Sequence, residues 1–291
     1  MSQHGLVKKD GPINKILLFG SSGMFGQYVY SYFKQSTTIS VEVIPIHFRI
    51  NEKDGFDLLE QTLLYHGINH ETCVINCVGL IPQRKSRDSS DKEYFLINSL
   101  FPHILWQLCK KYNAKMIHPT TDCVFSGKKG RYVETDIHDE TGSYGMSKSL
   151  GEPLGCTCIR TSIIGRELSN KKSFLEWVIS NNNSTISGWS NHQWNGITCL
   201  EYCVVIEQII QEDLFWTGVR HIYSPTPVSK YEMAKIISEV FDLTIQINPL
   251  ESSEPCDKTL VSNYDSIFNI KELHIQIRNL KDYILLPVII K

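Results

Sequence analysis

Ile16-Leu17-Leu18-Phe19 runs straight into Gly20-Ser21-Ser22-Gly23-Met24-Phe25-Gly26, and this junction decides the fold. Four consecutive apolar residues suit a strand covered on both faces, as in a parallel sheet. The glycine-rich turn leads into a helix predicted over 27–34. Gly20 permits a tight turn, Gly23 lets backbone approach a phosphate group, and Gly26 lets helix and strand pack closely. Phosphates would then rest on amide donors at the helix N-terminus. The spacing is G-x-x-G-x-x-G, not the usual dinucleotide fingerprint, but its place directly after a buried strand strengthens the reading.

Outward from this point, apolar runs alternate with helical periodicity. Further strands are predicted at about 41–48, 73–78, 115–118, 157–162 and 221–224. Pro45 is a blemish in the second, because proline cannot donate to a ladder. Helical character fills 57–66, 93–112, 144–154, 173–180 and 230–241. The alternation implies a doubly wound α/β fold, a parallel sheet with helices on both faces. It weakens after about residue 165. We therefore expect a cofactor domain over 1–165, a smaller interleaved substrate lobe over 166–291, and strands near 219–241 returning to the first domain.

The 291 residues are 42% hydrophobic and 21% charged, enough for a buried core and against wholesale disorder. With 29 basic and 31 acidic side chains there is no cationic excess to neutralise a duplex, so no nucleic-acid partner is expected. No apolar stretch approaches the ~20 residues of a membrane span; 283–290 is short and broken by Pro287. The opening MSQHGLVKKDGPINK lacks an apolar segment, which predicts no secretion signal and a cytoplasmic protein. Nine cysteines, an odd number, argue against a disulfide framework. Cys156 with Cys158, and Cys199 with Cys203, have the spacing of shared strand and helix faces. His66, His70 and Cys73 lack a second ligand pair, so buried thiols and no metal site are expected.

A dinucleotide site that prefers NAD usually carries an acid after the second strand. Here Pro45-Ile46-His47-Phe48-Arg49 offers none, and Arg49 could meet a 2′-phosphate through its planar fork. NADP(H) is therefore preferred, with NAD(H) as the alternative. Farther on, Tyr144-Gly145-Met146-Ser147-Lys148 places a phenol and an ammonium one helical turn apart. The ammonium is expected to lower the phenol's pKa and make it a usable proton donor or acceptor.

With these pieces in this order, the chain resembles the extended short-chain dehydrogenase/reductase family in its nucleotide-sugar branch. The resemblance covers roughly 15–165 and rests on Gly20 to Gly26, Asn76-Cys77-Val78-Gly79, Asn98, Thr120-Thr121-Asp122, and Tyr144 with Lys148. Thr121 to Gly127, Tyr144 to Glu152 and Ile159 to Ser162 look most like the dTDP-4-dehydrorhamnose reductase group. This implies a Rossmann-like fold and NADPH-dependent reduction of a nucleotide-linked 4-keto-6-deoxyhexose to a 6-deoxy-L-sugar such as L-rhamnose. Tyr144 would protonate the sugar C4 oxygen, Lys148 would hold the nicotinamide ribose, and Thr121 would orient the carbonyl, with Thr120 as its alternative. Cofactor contacts would fall to Gly20, Ser22, Gly23, Met24, Phe25, Gly26, Arg49, Asn76, Cys77, Val78, Tyr144 and Lys148.

Cys123 stands where the related 4,6-dehydratases carry a glutamate, so dehydration lacks its base. The dehydrorhamnose reductases generally carry tyrosine there. Bifunctional epimerase/reductases, GDP-fucose synthase among them, carry cysteine, which makes Cys123 a candidate 3,5-epimerase residue if a nearby cation lowers its pKa. The second acid/base would be Lys171, Lys172 or His192; otherwise Cys123 packs beneath the substrate. Thr121, Asp122, Arg166, Trp189 and Asn195 are candidates to bind the sugar nucleotide, Arg166 through the diphosphate. They stand beside Asn191, His192, Trp194 and Thr198, while Trp177 has the spacing of a helix core and Lys230 is a candidate for the far side. A nucleotide sugar and a homodimer are the expected partners. The alternative is a non-catalytic, NADP-binding regulatory subunit resembling the methionine adenosyltransferase β subunit.

Overall fold

The computed structural model describes residues 11–50, 55–84, 90–169 and 171–288. The chain opens with β1 (Lys15–Phe19), α1 (Met24–Gln35), β2 (Glu42–Ile46), α2 (Gly55–Tyr65) and β3 (Thr72–Asn76). Next come α3 (Lys92–Tyr94), a π-helical turn (Phe95–Leu100), α4 (Phe101–Lys111), β4 (Lys115–Thr120), α5 (Ser143–Ser149) and β5 (Thr157–Arg160). Then follow β6 (Ile163–Ile164), α6 (Phe174–Ser180), β7 (Thr185–Trp189), β8 (His192–Trp194), β9 (Ile197–Thr198) and α7 (Cys199–Gln211). The rest is β10 (Gly218–His221), β11 (Val228–Ser229), α8 (Lys230–Val240), β12 (Gln246–Leu250), β13 (Cys256–Asp257) and α9 (Leu273–Asp282).

Six strands pair in the order β10-β5-β4-β3-β1-β2, all parallel. The expected α/β architecture is thus present. Period-two alternation divides the apolar run of β1 between two cores. Ile16 and Leu18 pack with Cys73, Ile75, Ile117 and Ile159, whereas Leu17 and Phe19 pack on the other face with Val74, Met116 and Cys158. Each large apolar side chain buried this way contributes ~1.5–3 kcal/mol. Pro45 lies on β2, an edge strand, where a sheet tolerates proline.

From β1 the chain steps to β2 on one side and then crosses back to β3 on the other. That reversal opens a crevice at the carboxyl ends of the strands, where doubly wound folds bind ligands. The last sheet strand is β10, which pairs with β5 at 218–221 and not at the expected 221–224. Three small sheets, β11-β8-β13, β12-β7 and β6-β9, are built from the chain after β5.

The long helix expected over 93–112 runs without a gap from Lys92 to Lys111, with a π-helical turn at Phe95–Leu100 inside it. Three helices of the second half start on the same pattern. Ser173, Thr198 and Ser229 each accept from the backbone N–H of a glutamate three residues on, and Ser229 with Glu232 completes a reciprocal capping box. All nine cysteines are free thiols, with the Cys156 and Cys158 sulfurs 3.7 Å apart on one face. Among the described residues no helix is long and apolar enough to cross a membrane.

Candidate active site

The glycine turn is built as its spacing suggests. Gly20 has φ +75°, and a Cβ there would lie 2.6–2.7 Å from the Cys77 and Val78 backbone. A Cβ on Gly26 would lie 2.1 Å from the Gly20 carbonyl oxygen, so only glycine lets α1 start this close to the turn. Gly23 differs, because its one near neighbour would be that same oxygen at 3.3 Å. Its outer face is open. Gly23 is also the N-cap of α1 and offers no side chain to the first amides, and the first turn holds no acid. Open backbone, uncapped donors and a helix dipole fit a pyrophosphate.

The other expected cofactor residues divide into backbone and side-chain roles. Phe25 turns its ring onto Tyr202 at 4.5 Å in the core, and Ser22 is exposed, so both can serve the cradle through backbone. Met24 is half-buried at the helix start. Asn76 is buried. Its Oδ1 accepts from Val78 N at 3.1 Å and its Nδ2 meets His118 Nδ1 at 3.2 Å, so it shapes the strand end instead of facing a ligand. Arg49 is exposed beyond the end of β2, and no carboxylate stands between Ile46 and Ile50.

Thr121 follows β4 and Tyr144 lies in α5. The Thr121 hydroxyl reaches the phenol and favours its anionic form by hydrogen bonding. It also accepts from Cys123 N at 3.1 Å and donates to Asp122 Oδ1 at 3.1 Å. Thr120 is excluded as the substrate-facing alternative, since its hydroxyl is buried and donates to Glu152 Oε1 at 2.9 Å. Lys148 is only 8% exposed and points at Gly79, where a Cβ would lie 3.1 Å from Nζ. Asn98, set in the π-helical turn, bonds both backbone groups of Leu80 and the Ser147 hydroxyl, which ties the β3 loop to α5.

Burial dominates the electrostatics. It pushes the Tyr144 phenol well above the ordinary tyrosine range, aided by Cys123 and Asp122. The expected lowering by Lys148 is therefore corrected: burial, Cys123 and Asp122 set the phenol's direction, and the lysine itself falls to about 8 through burial, against the Glu152 charge. Burial and Asp122 raise the Cys123 thiol to about 12, with Lys258 opposing, so the expected activation by a cation does not prevail. Asp122 is raised by burial, opposed by Lys258 and Lys230.

Several expected substrate contacts are spent elsewhere. Asn195 is buried, and its amide clamps both backbone groups of Leu260 at 2.8 Å, which corrects its expected role. Asn191 does the same to Ser252. Arg166 pairs through Nε with the buried Glu176 at 2.7 Å. Trp189 is 40% exposed and stacks on His192, whose Nε2 meets the Glu254 carbonyl. Trp177 is also 40% exposed, outside the core its spacing suggested. Lys171 and Lys172 are exposed, and neither is among the groups acting on Cys123. Lys230 and Lys258 take their place beside Asp122 and Cys123, Lys230 lying 5.2 Å from the Phe174 ring centre and 5.5 Å from that of Trp194. Lys258 had no sequence signal, because only the pairing of β13 with β8 brings it in.

Four similarities to known proteins bear on this site. The chain is 29% identical over 177 residues to the spore coat polysaccharide biosynthesis protein SpsK of Bacillus subtilis, a match over 57% of this chain and 58% of that protein. It thus spans little more than half the length of that relative. It is 22% identical over 265 residues to methionine adenosyltransferase 2 subunit beta of Rattus norvegicus, covering 83% of this chain and 77% of the relative. A solved dTDP-4-dehydrorhamnose reductase from Bacillus anthracis in complex with NADP superposes with a TM-score of 0.74 at 18% identity, over 92% of this chain and 98% of that one, and so shares the fold. The family model described as the RmlD substrate binding domain matches residues 14–183, from β1 past α6 and through Thr121, Cys123, Tyr144 and Lys148, and the chain belongs to that family.

Proposed function

We propose that this protein is a nicotinamide-dependent reductase of a nucleotide-linked 4-keto-6-deoxyhexose, yielding a 6-deoxy-L-sugar nucleotide of the L-rhamnose type. One observation carries the reading. The Thr121 hydroxyl acts on the Tyr144 phenol, a buried Lys148 lies one helical turn along α5, and the open, uncapped glycine turn follows β1 at the same carboxyl end of the sheet that Thr121 follows on β4. Gly20–Gly26 would hold a nicotinamide cofactor, which would supply the hydride. Tyr144, kept protonated by its burial, gives its proton to the C4 oxygen as charge develops there, and Thr121 orients that oxygen. Lys148, an ammonium below pH about 8, holds the ribose side of the site. Arg49 and the missing carboxylate after β2 support NADP(H) over NAD(H). On this reading the cofactor half is 1–165, with β10 returning to its sheet, and 166–291 is otherwise the substrate lobe.

Epimerisation at C3 and C5 forms the finer part of the proposal. Cys123, a neutral thiol, donates a proton there. Lys230, which burial pulls below the ordinary lysine range, replaces Lys171, Lys172 and His192 as the base. Solvent deuterium should enter C3 and C5 of a 4-keto-6-deoxy sugar nucleotide; unchanged exchange in Cys123→Ser would sink this part. The reductase itself is tested by NADPH oxidation with UDP- and dTDP-4-keto-6-deoxyglucose, followed by the stereochemistry of the product.

A second reading has its own support. The methionine adenosyltransferase subunit matches 83% of the chain, against 57% for SpsK. A regulatory subunit would bind NADP, oxidise no NADPH with either sugar, and co-purify with a catalytic partner.

A further inference from the structure

The geometry points to Arg160 and Glu152 as positioning residues that fix Thr121 and the Tyr144–Lys148 helix relative to one another, an inference that rests on the reductase reading of the site. Arg160 is 1% exposed at the carboxyl end of β5. One edge of its guanidinium bonds Glu152 in fork fashion, Nε to Oε1 at 3.1 Å and Nη2 to Oε2 at 2.6 Å. The same Oε1 accepts from Thr120. The Thr120–Glu152 bond therefore anchors the residue next to Thr121.

The other edge meets two imidazoles, with Nη2 2.8 Å from His138 Nε2 and Nη1 2.8 Å from His221 Nε2. A guanidinium has no acceptor, so both Nε2 atoms must accept and each ring carries its proton on Nδ1. Those Nδ1–H groups then donate to Ser149 Oγ at 2.6 Å and to the Val261 carbonyl at 2.7 Å. Ser149 is the last residue of α5 and Glu152 lies just beyond it. One buried cation thus grips the end of the Tyr144 helix from two directions and holds the Thr121 strand end through Thr120. The Phe125 ring closes the site at 5.2 Å from the guanidinium carbon.

Thr121 and Tyr144 belong to different elements, yet on the reductase reading their hydroxyls must converge on one carbonyl oxygen. Misplacement by about 1 Å can cost on the order of 100-fold in rate. A core of apolar side chains could hold the fold as well as a buried ion pair can. The charged hub adds a fixed direction for every partner. It also reaches Lys148, on whose ammonium the Glu152 carboxylate acts electrostatically.

Two variants test this. In Thr120→Val, which keeps the Arg160–Glu152 pair and the side-chain shape, kcat should fall about 10-fold or more while the NADPH Kd stays within about twofold of wild type. In Glu152→Gln, the pH midpoint of NADPH binding should move down by up to about one unit, because Lys148 loses a supporting charge. A folded Thr120→Val with wild-type kcat overturns the inference, and so does an unmoved midpoint in Glu152→Gln. Wild-type protein that neither binds nor oxidises NADPH overturns the reductase reading instead, and the positioning role with it.

Discussion

Gly23 and Gly26 are three residues apart in one turn, yet a methyl group should do different damage at each. On Gly26 it would stand 2.1 Å from the Gly20 oxygen and 2.8 Å from Gly20 C and Ser21 Cα, all backbone atoms that cannot swing aside. Helix α1 would have to retreat by about 1 Å to restore contact distance. Overpacking of this kind costs ~1–3 kcal/mol, only partly offset by the ~1 kcal/mol helix preference of alanine over glycine. On Gly23 the methyl meets one oxygen at 3.3 Å, and φ −75°, ψ 163° is open to any residue. The reduced freedom of the unfolded chain, ~0.4–1 kcal/mol, roughly cancels the weaker N-cap preference of alanine. Gly23→Ala should therefore unfold with wild-type stability but bind NADPH at least about 10-fold more weakly, a loss of ~1.4 kcal/mol. Gly26→Ala should lose both stability and binding. Thermal unfolding of the protein alone, paired with NADPH fluorescence titration, separates the two. Wild-type affinity in Gly23→Ala would mean that no phosphate approaches that face, and the cradle reading would be wrong.

Three further outcomes are expected. Tyr144→Phe should lose ~10²–10⁴-fold in single-turnover hydride transfer while NADPH affinity stays near wild type, read by absorbance and fluorescence on the same samples. NADPH affinity should fall as pH rises through about 8, where folded Lys148 loses its charge. Between about 8 and the ordinary lysine value the unfolded chain holds a proton that the folded one has released, so this lysine makes stability rise with pH across that window. Lys148→Met should thus be more stable than wild type at pH 7 and bind NADPH poorly, as denaturant titration and fluorescence would show. His221 is lowered to about 4 by burial and Arg160, so unfolded chains take up a proton below the ordinary histidine value that folded ones refuse. Stability should fall as pH drops from about 6.5 towards 4, and His221→Gln should flatten that part of the profile in urea titrations.

The parts of this molecule that were legible in the sequence are those set by neighbours along the chain. The β1 run and its glycines need only local backbone rules, and Tyr144 with Lys148 needs only the helical repeat. The S/T-x-x-E starts of α6, α7 and α8 were equally local, and reading them would have placed Ser173, Thr198 and Ser229 at helix caps. What stayed hidden depends on distant partners. Asn191 and Asn195 have the composition of ligand contacts, but backbone 60 or so residues away claims their amides. Lys258 enters the site only because β13 pairs with β8. The pKa of Tyr144 follows burial, which residue spacing cannot supply.

That burial also bears on the direction of the chemistry. An enzyme that oxidises an alcohol must first hold a phenolate, the form that desolvation at Tyr144 disfavours together with the neighbouring Cys123 and Asp122. Reduction needs the reverse, a phenol that keeps its proton until negative charge appears on the C4 oxygen and then gives it up over a short hydrogen bond. Cys123, raised to about 12, is a second proton-loaded group that acts on the Tyr144 phenol. Lys148, lowered to about 8, keeps its positive charge through the neutral range. A site whose acids hold their protons until the substrate draws them is poised to deliver protons to a ketone, so an oxidation assay with an alcohol product should need alkaline pH, while reduction should proceed at neutrality.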